Sequence, residues 1–356
     1  MRPLDPTQPR RILVRGTNWV GDAVMNLPAL EALHRACPQA ELEVLARPWV
    51  AAVYQGLPFV SRVRQLAVDG EHKYAWGRLR AAGGLRAAGY DWAVLLQNAI
   101  EAAFIAWWAR IPVRIGFNSD ARGWLLTHSV RRTSYMRRVH ETSYYLWMLR
   151  GAGLLDQDPP AQGVRPRLRV TSDDAAWAED FLAARGVSAG ERLVGMAPGA
   201  AFGPAKCWPA EHYAWAADLL HNQGLGPVLL FGSGSEKPAV RAVSSKVRRA
   251  RVLELAGATD LGQALALLSR LSLMITNDSG LMHAAAALGV PTVAVFGSTN
   301  PLATGPLGRE VRVVQHPVDC GPCKKPVCPT DQKCLRAITA DEVVRAGLEL
   351  LGEAGP

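Results

Sequence analysis

The stretch Ile275-Thr-Asn-Asp-Ser-Gly-Leu-Met-His283, continuing through Ala284–Gly289 into the apolar segment Pro291–Phe296, reads as strand, turn, helix and strand. Leu271–Ile275 is short and apolar, Asn277, Asp278 and Ser279 are helix-capping types, and Gly280 allows a ligand close to the backbone. The first amides of such a helix lack intrahelical partners and lie at the positive end of its dipole, a place that suits a phosphate or diphosphate. A capped helix without a ligand would look the same at this one turn, so its surroundings in the chain decide.

Outward from that turn, strand-like and helix-like segments alternate. On the N-terminal side the strands are Ile12–Val14, Leu42–Leu45, Trp92–Leu96 and Val113–Phe117. Their helices are one carrying Val24, Leu27, Leu30 and Leu33 at helical spacing, and Ala99–Trp108. A polar, proline-rich stretch between Leu154 and Leu168 reads as a linker, so domains are expected at 1–165 and 166–356. The alternation then restarts with strands Leu193–Met196 and Val228–Phe231 and helices Glu211–Gln223, Pro238–Ala250 and Gly262–Ser269. This is the pattern of an α/β protein with parallel sheets. Ligands of such sheets bind beyond the carboxyl ends of the strands, so each half is expected to aim its loops at a shared cleft.

Three further loops carry chemistry. Arg15-Gly-Thr-Asn-Trp-Val-Gly-Asp22 joins a strand to a helix but has neither the Gly-x-Gly-x-x-Gly of dinucleotide folds nor the Gly-Lys-Ser/Thr of NTPases, which disfavours both classes. Asp22 is either the N-cap of the following helix or a general base that takes a proton from a hydroxyl nucleophile. Met196-Ala-Pro-Gly-Ala-Ala-Phe-Gly-Pro-Ala-Lys-Cys-Trp208 frees the backbone at Gly199 and Gly203 and supplies one cation, Lys206, for phosphate. Phe231-Gly-Ser-Gly-Ser-Glu236 ends another strand, with Glu236 placed to accept from ribose hydroxyls or to cap a helix.

The 356 residues, 49% hydrophobic and 20% charged, are those of a folded globular protein. No run approaches the ~18 apolar residues of a membrane span, and Met1–Arg11 lacks the apolar core of a signal peptide, so a cytoplasmic site of action is expected. The net charge of +9 favours acidic partners. Basic residues concentrate between Arg110 and Arg150, notably Arg131, Arg132, Arg137 and Arg138, in a stretch that also carries Trp107, Trp108, Trp124 and Tyr135. Four of the six cysteines, Cys320, Cys323, Cys328 and Cys334, form a compact set at 320–334 whose leading Cys-x-x-Cys has the spacing of a structural zinc site. A thiol-only or redox role stays open, and Cys37 and Cys207 look independent.

Arg15–Asp22, Ala197–Trp208 and Asn277–His283, in this order and spacing, closely resemble the ADP-heptose:lipopolysaccharide heptosyltransferases of glycosyltransferase family 9, most of all those that add the second heptose. The resemblance spans nearly the whole chain. It implies a GT-B architecture, with an acceptor-binding first Rossmann-like domain and an ADP-heptose-binding second one, and inverting transfer that requires no metal. Asp22 then corresponds to the catalytic base and Lys206 to the phosphate-neutralising cation. Glu236 is the implied ribose ligand, and Asn277, Asp278, Ser279, Gly280, Leu281 and His283, with Gly199, the other donor contacts. Asn18, Trp19, Gly21, Arg122, Arg131 and Arg132 are the expected acceptor contacts. The implied partners are ADP-heptose, an anionic heptosyl-Kdo-lipid A and the cytoplasmic surface of the inner membrane, with no nucleic acid. Cys207 departs from the basic residue often found between that lysine and tryptophan, which bears on donor specificity. Alternatives of the same class act on another acceptor or sugar, and a nucleotide-sugar epimerase or a binding module would share the two-domain layout.

Overall fold

A computed structural model describes residues 4–66, 83–136 and 138–352. The chain divides into two compact units, Met1–Leu168 and Arg169–Pro356. In the first, strands β1 (Arg11–Arg15), β2 (Glu41–Ala46), β3 (Val60–Gln65), β4 (Trp92–Leu95), β5 (Val113–Phe117) and β6 (His128–Val130) form a sheet of order β3-β2-β1-β4-β5-β6. In the second, β7 (Val194–Ala197), β8 (Val228–Leu230), β9 (Val252–Glu254), β10 (Leu273–Asn277), β11 (Thr292–Phe296) and β12 (Val311–Gln315) are ordered β12-β11-β10-β7-β8-β9. Every pairing is parallel. Taken in chain order, the two sheets have one topology, the doubly wound Rossmann arrangement.

Burial accounts for the choice of residues. Central strands covered on both faces are near-continuous apolar runs, such as Ile12, Leu13 and Val14 in β1 and Leu273, Met274 and Ile275 in β10, all buried. The edge strands β3, β6, β9 and β12 alternate or are partly exposed, and the segments Val-Ser-Arg-Val-Arg-Gln and Val-Arg-Val-Val-Gln carry exposed arginines, Arg62 and Arg312. Those four were not anticipated from the sequence, because their apolar content is low and their length short.

Two helices differ from expectation. The helix after β1 is broken into Val20–Met25 and Leu27–Ala36, since Pro28 has no N–H to continue it. Asn26 sits buried at the joint and donates to Thr17 Oγ1 at 3.0 Å and Tyr54 Oη at 3.1 Å, tying the break to the glycine turn. The helix expected to reach Ala250 ends at Ser244, and the Asp218 carboxylate instead accepts from the amides of Arg248, Arg249 and Ala250 at 2.8–3.2 Å.

In each sheet the strand order reverses at one place, between β1 and β4 and between β7 and β10. Ligands of doubly wound sheets bind beyond the carboxyl ends of the strands at that point. The loops that follow β1, β7 and β10 are Gly16–Trp19, Pro198–Gly203 and Asp278–Ser279, the segments singled out in the sequence.

Candidate active site

In the first unit, Arg15 ends β1 as a buried charge. Burial first, then the nearby Arg47, lowers its pKa to about 10. Its guanidinium donates to the Gly16 carbonyl and, at 2.8 Å, to Asn18 Oδ1, while Trp49 Nε1 donates to the Asn18 carbonyl at 2.8 Å. Asn18 is thereby fixed beside an exposed Trp19. The sequence signal for Arg15 is a charge closing an otherwise apolar strand.

Asp22 is not the N-cap. That position belongs to Trp19, whose side chain makes no capping bond, and Asp22 is the third residue of Val20–Met25, after Gly21. Its carboxylate acts on a neighbour the sequence reading missed. Burial first, then Asp22, pushes Glu141 at the start of the helix Glu141–Gly151 up to about 7, while Arg132 pulls it back. Asp22 also raises the buried Tyr145. Burial disfavours the charged form of Glu141, and the negative charge of Asp22 adds to that effect. Glu141 thus changes charge near neutral pH and is uncharged below it.

The consequence for stability has a definite sign. The folded pKa of Glu141 lies above its ordinary 4.5. Its contribution is therefore intact at acid pH and lost as pH rises through about 7. Glu141→Gln is expected to melt like wild type at acid pH and to be more stable by up to about 2 kcal/mol at alkaline pH. Thermal melts at the two pH values test this, and an unchanged difference between them contradicts it.

The other expected acceptor contacts separate. Arg131 is exposed, and Arg132 is half-buried with its guanidinium 5.2 Å from the Tyr144 ring centre. Arg138 is exposed, and Arg137 lies outside the described residues. Arg122 is placed differently from those arginines. It is fully buried and donates to the carbonyl of Phe117 at 3.0 Å, to the Gln97 carbonyl and to Asn98 Oδ1 at 3.1 Å. Burial lowers its pKa to about 10. Arg122 clamps the chain ends after β4 and β5.

In the second unit the loop after β7 meets the turn after β10. Lys206 Nζ lies 2.6 Å from Asp278 Oδ2, with both side chains largely buried, and Thr299 Oγ1 donates to the same oxygen at 2.7 Å. Ser279 caps the helix Gly280–Leu288 by accepting from Met282 N. The amides of Gly280 and Leu281, in the first turn, have no intrahelical acceptor and stay available to an anion. His283 is buried in the first turn.

Asn277 lies at the end of β10. It is fully buried, accepts from Trp208 N at 2.9 Å and Tyr213 Oη at 3.0 Å, and donates to Pro198 O at 2.8 Å. It staples the lysine loop to β10. Glu236 forms a capping box with Ser233 through Oε2 at 2.7 and 2.8 Å, and its other oxygen lies where a Cβ on Gly199 would be. Glycine at 199 is thus what lets this carboxylate approach the loop.

Among the described residues no three His, Cys, Asp or Glu side chains stand where one ion would bind them, so the arrangement of the cysteines does not support the zinc site that their spacing suggested. Their segment has a different job. Pro326 O accepts from Ala205 N at 3.0 Å and Gln332 Nε2 donates to Pro204 O at 2.7 Å, which braces the lysine loop from outside. Gly203, with φ +145°, has no room for a Cβ against the Pro326 carbonyl. Gly203→Ala is expected to cost roughly 2–3 kcal/mol through backbone strain. Chemical denaturation would measure it, and a variant as stable as wild type would contradict the bracing role.

Residues 78–334 match the family model for glycosyltransferase family 9 (heptosyltransferase). Lipopolysaccharide heptosyltransferase 2 of Salmonella typhimurium is 34% identical over 314 residues, covering 86% of this chain and 88% of that protein. The solved structure of Escherichia coli ADP-heptose lipopolysaccharide heptosyltransferase II matches with a TM-score of 0.79 and 30% identity, over 96% of this chain and 98% of that one. A family 9 glycosyltransferase structure from Veillonella parvula has the same fold, with a TM-score of 0.84 at 24% identity over 99% of each chain.

Proposed function

Because the chain belongs to glycosyltransferase family 9, the heptosyltransferases, we propose that it transfers L-glycero-D-manno-heptose from ADP-heptose to the lipopolysaccharide inner core, as the second heptose on heptosyl-Kdo-lipid A. The observation that carries this reading is the Lys206–Asp278 pair beside the open amides of Gly280 and Leu281, at the strand-order reversal of the second unit.

In this reading the second unit holds the donor. Lys206 and the two amides stabilise the negative charge that develops on the diphosphate, and Glu236 accepts from the ribose. Asp278 orients Lys206, and Ser279 and His283 complete the pocket around the diphosphate and heptose. The first unit holds the acceptor, through Asn18, Trp19, Gly21, Arg131 and Arg132. An acceptor hydroxyl gives its proton to Asp22 as its oxygen bonds to the anomeric carbon, and the carbon–oxygen bond to ADP breaks. A single displacement inverts that carbon. The cation that neutralises the leaving group is a lysine, so the step requires no divalent ion.

The reaction takes place at the cytoplasmic face of the inner membrane, where the lipid-linked acceptor is exposed to a nucleotide sugar. Its test is ADP release from ADP-heptose with and without acceptor, in the presence of a chelator. Release that depends on acceptor and survives chelation is expected. ADP-heptose conversion without any acceptor would favour an epimerase. Replacing Arg131 and Arg132 with Ala is expected to raise the acceptor KM about tenfold and to reduce its salt dependence; unchanged values would remove them from the acceptor site.

A further inference from the structure

The helix Ile100–Trp108 is apolar on both sides. Ala102, Ala103, Ile105 and Ala106 pack into the core, yet Ile100, Trp107 and Trp108 remain 45%, 41% and 45% exposed, and Phe104 lies between them at helical spacing. Its one charged residue, Glu101, is taken by Arg47 at 3.2 Å. Trp124, 71% exposed on the turn before β6, joins the group with its ring 6.4 Å from that of Trp107, and the Phe104 ring lies 5.9 Å from those of Trp107 and Trp108. A helix apolar all round is ordinarily buried, and a contiguous exposed aromatic patch marks an interaction surface.

Charge identifies what covers it. Residues 1–168 contain 22 Lys and Arg against 13 Asp and Glu, whereas residues 169–356 contain 18 against 18, so the whole excess of +9 belongs to the unit that carries the patch. Arg110, directly after the helix, is exposed, as is Arg86 on a neighbouring segment whose Leu85 and Ala88 share a core with Phe104. A net charge of +9 on this unit disfavours a second copy as the partner and favours an anionic surface. Indole rings flanked by arginines instead match the interface of an anionic bilayer, where ring bodies enter the acyl boundary and guanidinium groups stay with the headgroups.

We propose that Ile100, Phe104, Trp107, Trp108 and Trp124 form a membrane-docking face that seats the first unit on a bilayer of anionic phospholipid. The proposal rests on the reading of this protein as an enzyme that works on a lipid-linked acceptor. Nothing in it involves the residues assigned to donor or acceptor.

The test is flotation of the full chain with vesicles of phosphatidylcholine alone or with added phosphatidylglycerol, for wild type and a Trp107→Ser/Trp108→Ser/Trp124→Ser variant. Wild type is expected to float with the anionic vesicles and not with the neutral ones, and the variant to bind at least about tenfold more weakly. Brominated acyl chains should quench wild-type tryptophan fluorescence more than that of Trp124→Ser, which keeps the test available if the triple variant does not fold. The triple variant should transfer heptose to an acyl-free acceptor at the wild-type rate and to vesicle-borne acceptor about tenfold more slowly. Equal vesicle binding by wild type and variant overturns the docking face, as does a wild-type dimer that the substitutions dissociate without affecting vesicle binding. Absence of transfer to either acceptor overturns the functional reading instead.

Discussion

Asp22→Asn is expected to lower kcat by about 10²–10⁴-fold, because an amide of the same shape cannot take the acceptor proton. The substitution is conservative in structure. Asp22 is the third residue of Val20–Met25, and an asparagine keeps the size and shape of its side chain there. Donor affinity should stay at the wild-type value, since every residue assigned to ADP-heptose is in the second unit. There is also a second readout. Asp22 is one of the causes that raise Glu141, so the variant should shift the pH midpoint of Glu141 downward while burial keeps it above 4.5. Loss of turnover with retained ADP binding and a lowered Glu141 midpoint is the expected pattern. Turnover near wild type would remove Asp22 from the chemistry.

Lys206→Met is expected to lower kcat by about 10²–10³-fold, the cost of removing one charge-stabilising group from a leaving diphosphate. It should also destabilise the second unit. Asp278 is buried, and its Oδ2 loses a cation at 2.6 Å while keeping only the Thr299 hydroxyl. Removing one partner of a buried pair costs roughly 3 kcal/mol, which in a unit of this size corresponds to a fall in Tm of about 6–12 °C. Lys206→Met/Asp278→Asn should recover much of that stability and none of the turnover. Recovery of turnover in the double variant would mean that the lysine serves the fold alone.

The sequence revealed most where burial and chain topology impose strong patterns. Apolar central strands such as Leu273–Ile275 and the glycine-bearing loops at their ends are legible because full burial demands apolar runs and close backbone approach demands glycine. Edge strands such as Val60–Gln65 are not, since one open side admits arginine and serine. Residue type also fails to separate a ligand contact from a staple. Asn277 and Arg122 are polar and lie near strand ends, as site residues do, but their hydrogen bonds go to carbonyls and amides distant in sequence. Glu141 was hidden for a related reason, because its coupling to Asp22 links residues more than a hundred positions apart. The cysteines had metal-like spacing along the chain without a metal-like arrangement in space.

The central claim is the identity of the acceptor, and a mass-resolved transfer assay tests it most directly. ADP-heptose is offered with Kdo-lipid A and, separately, with heptosyl-Kdo-lipid A, and the lipid products are weighed. The account predicts a gain of one heptose on the already heptosylated acceptor and none on the other. Heptose appearing on Kdo-lipid A, or on neither acceptor while ADP-heptose is consumed, would contradict it.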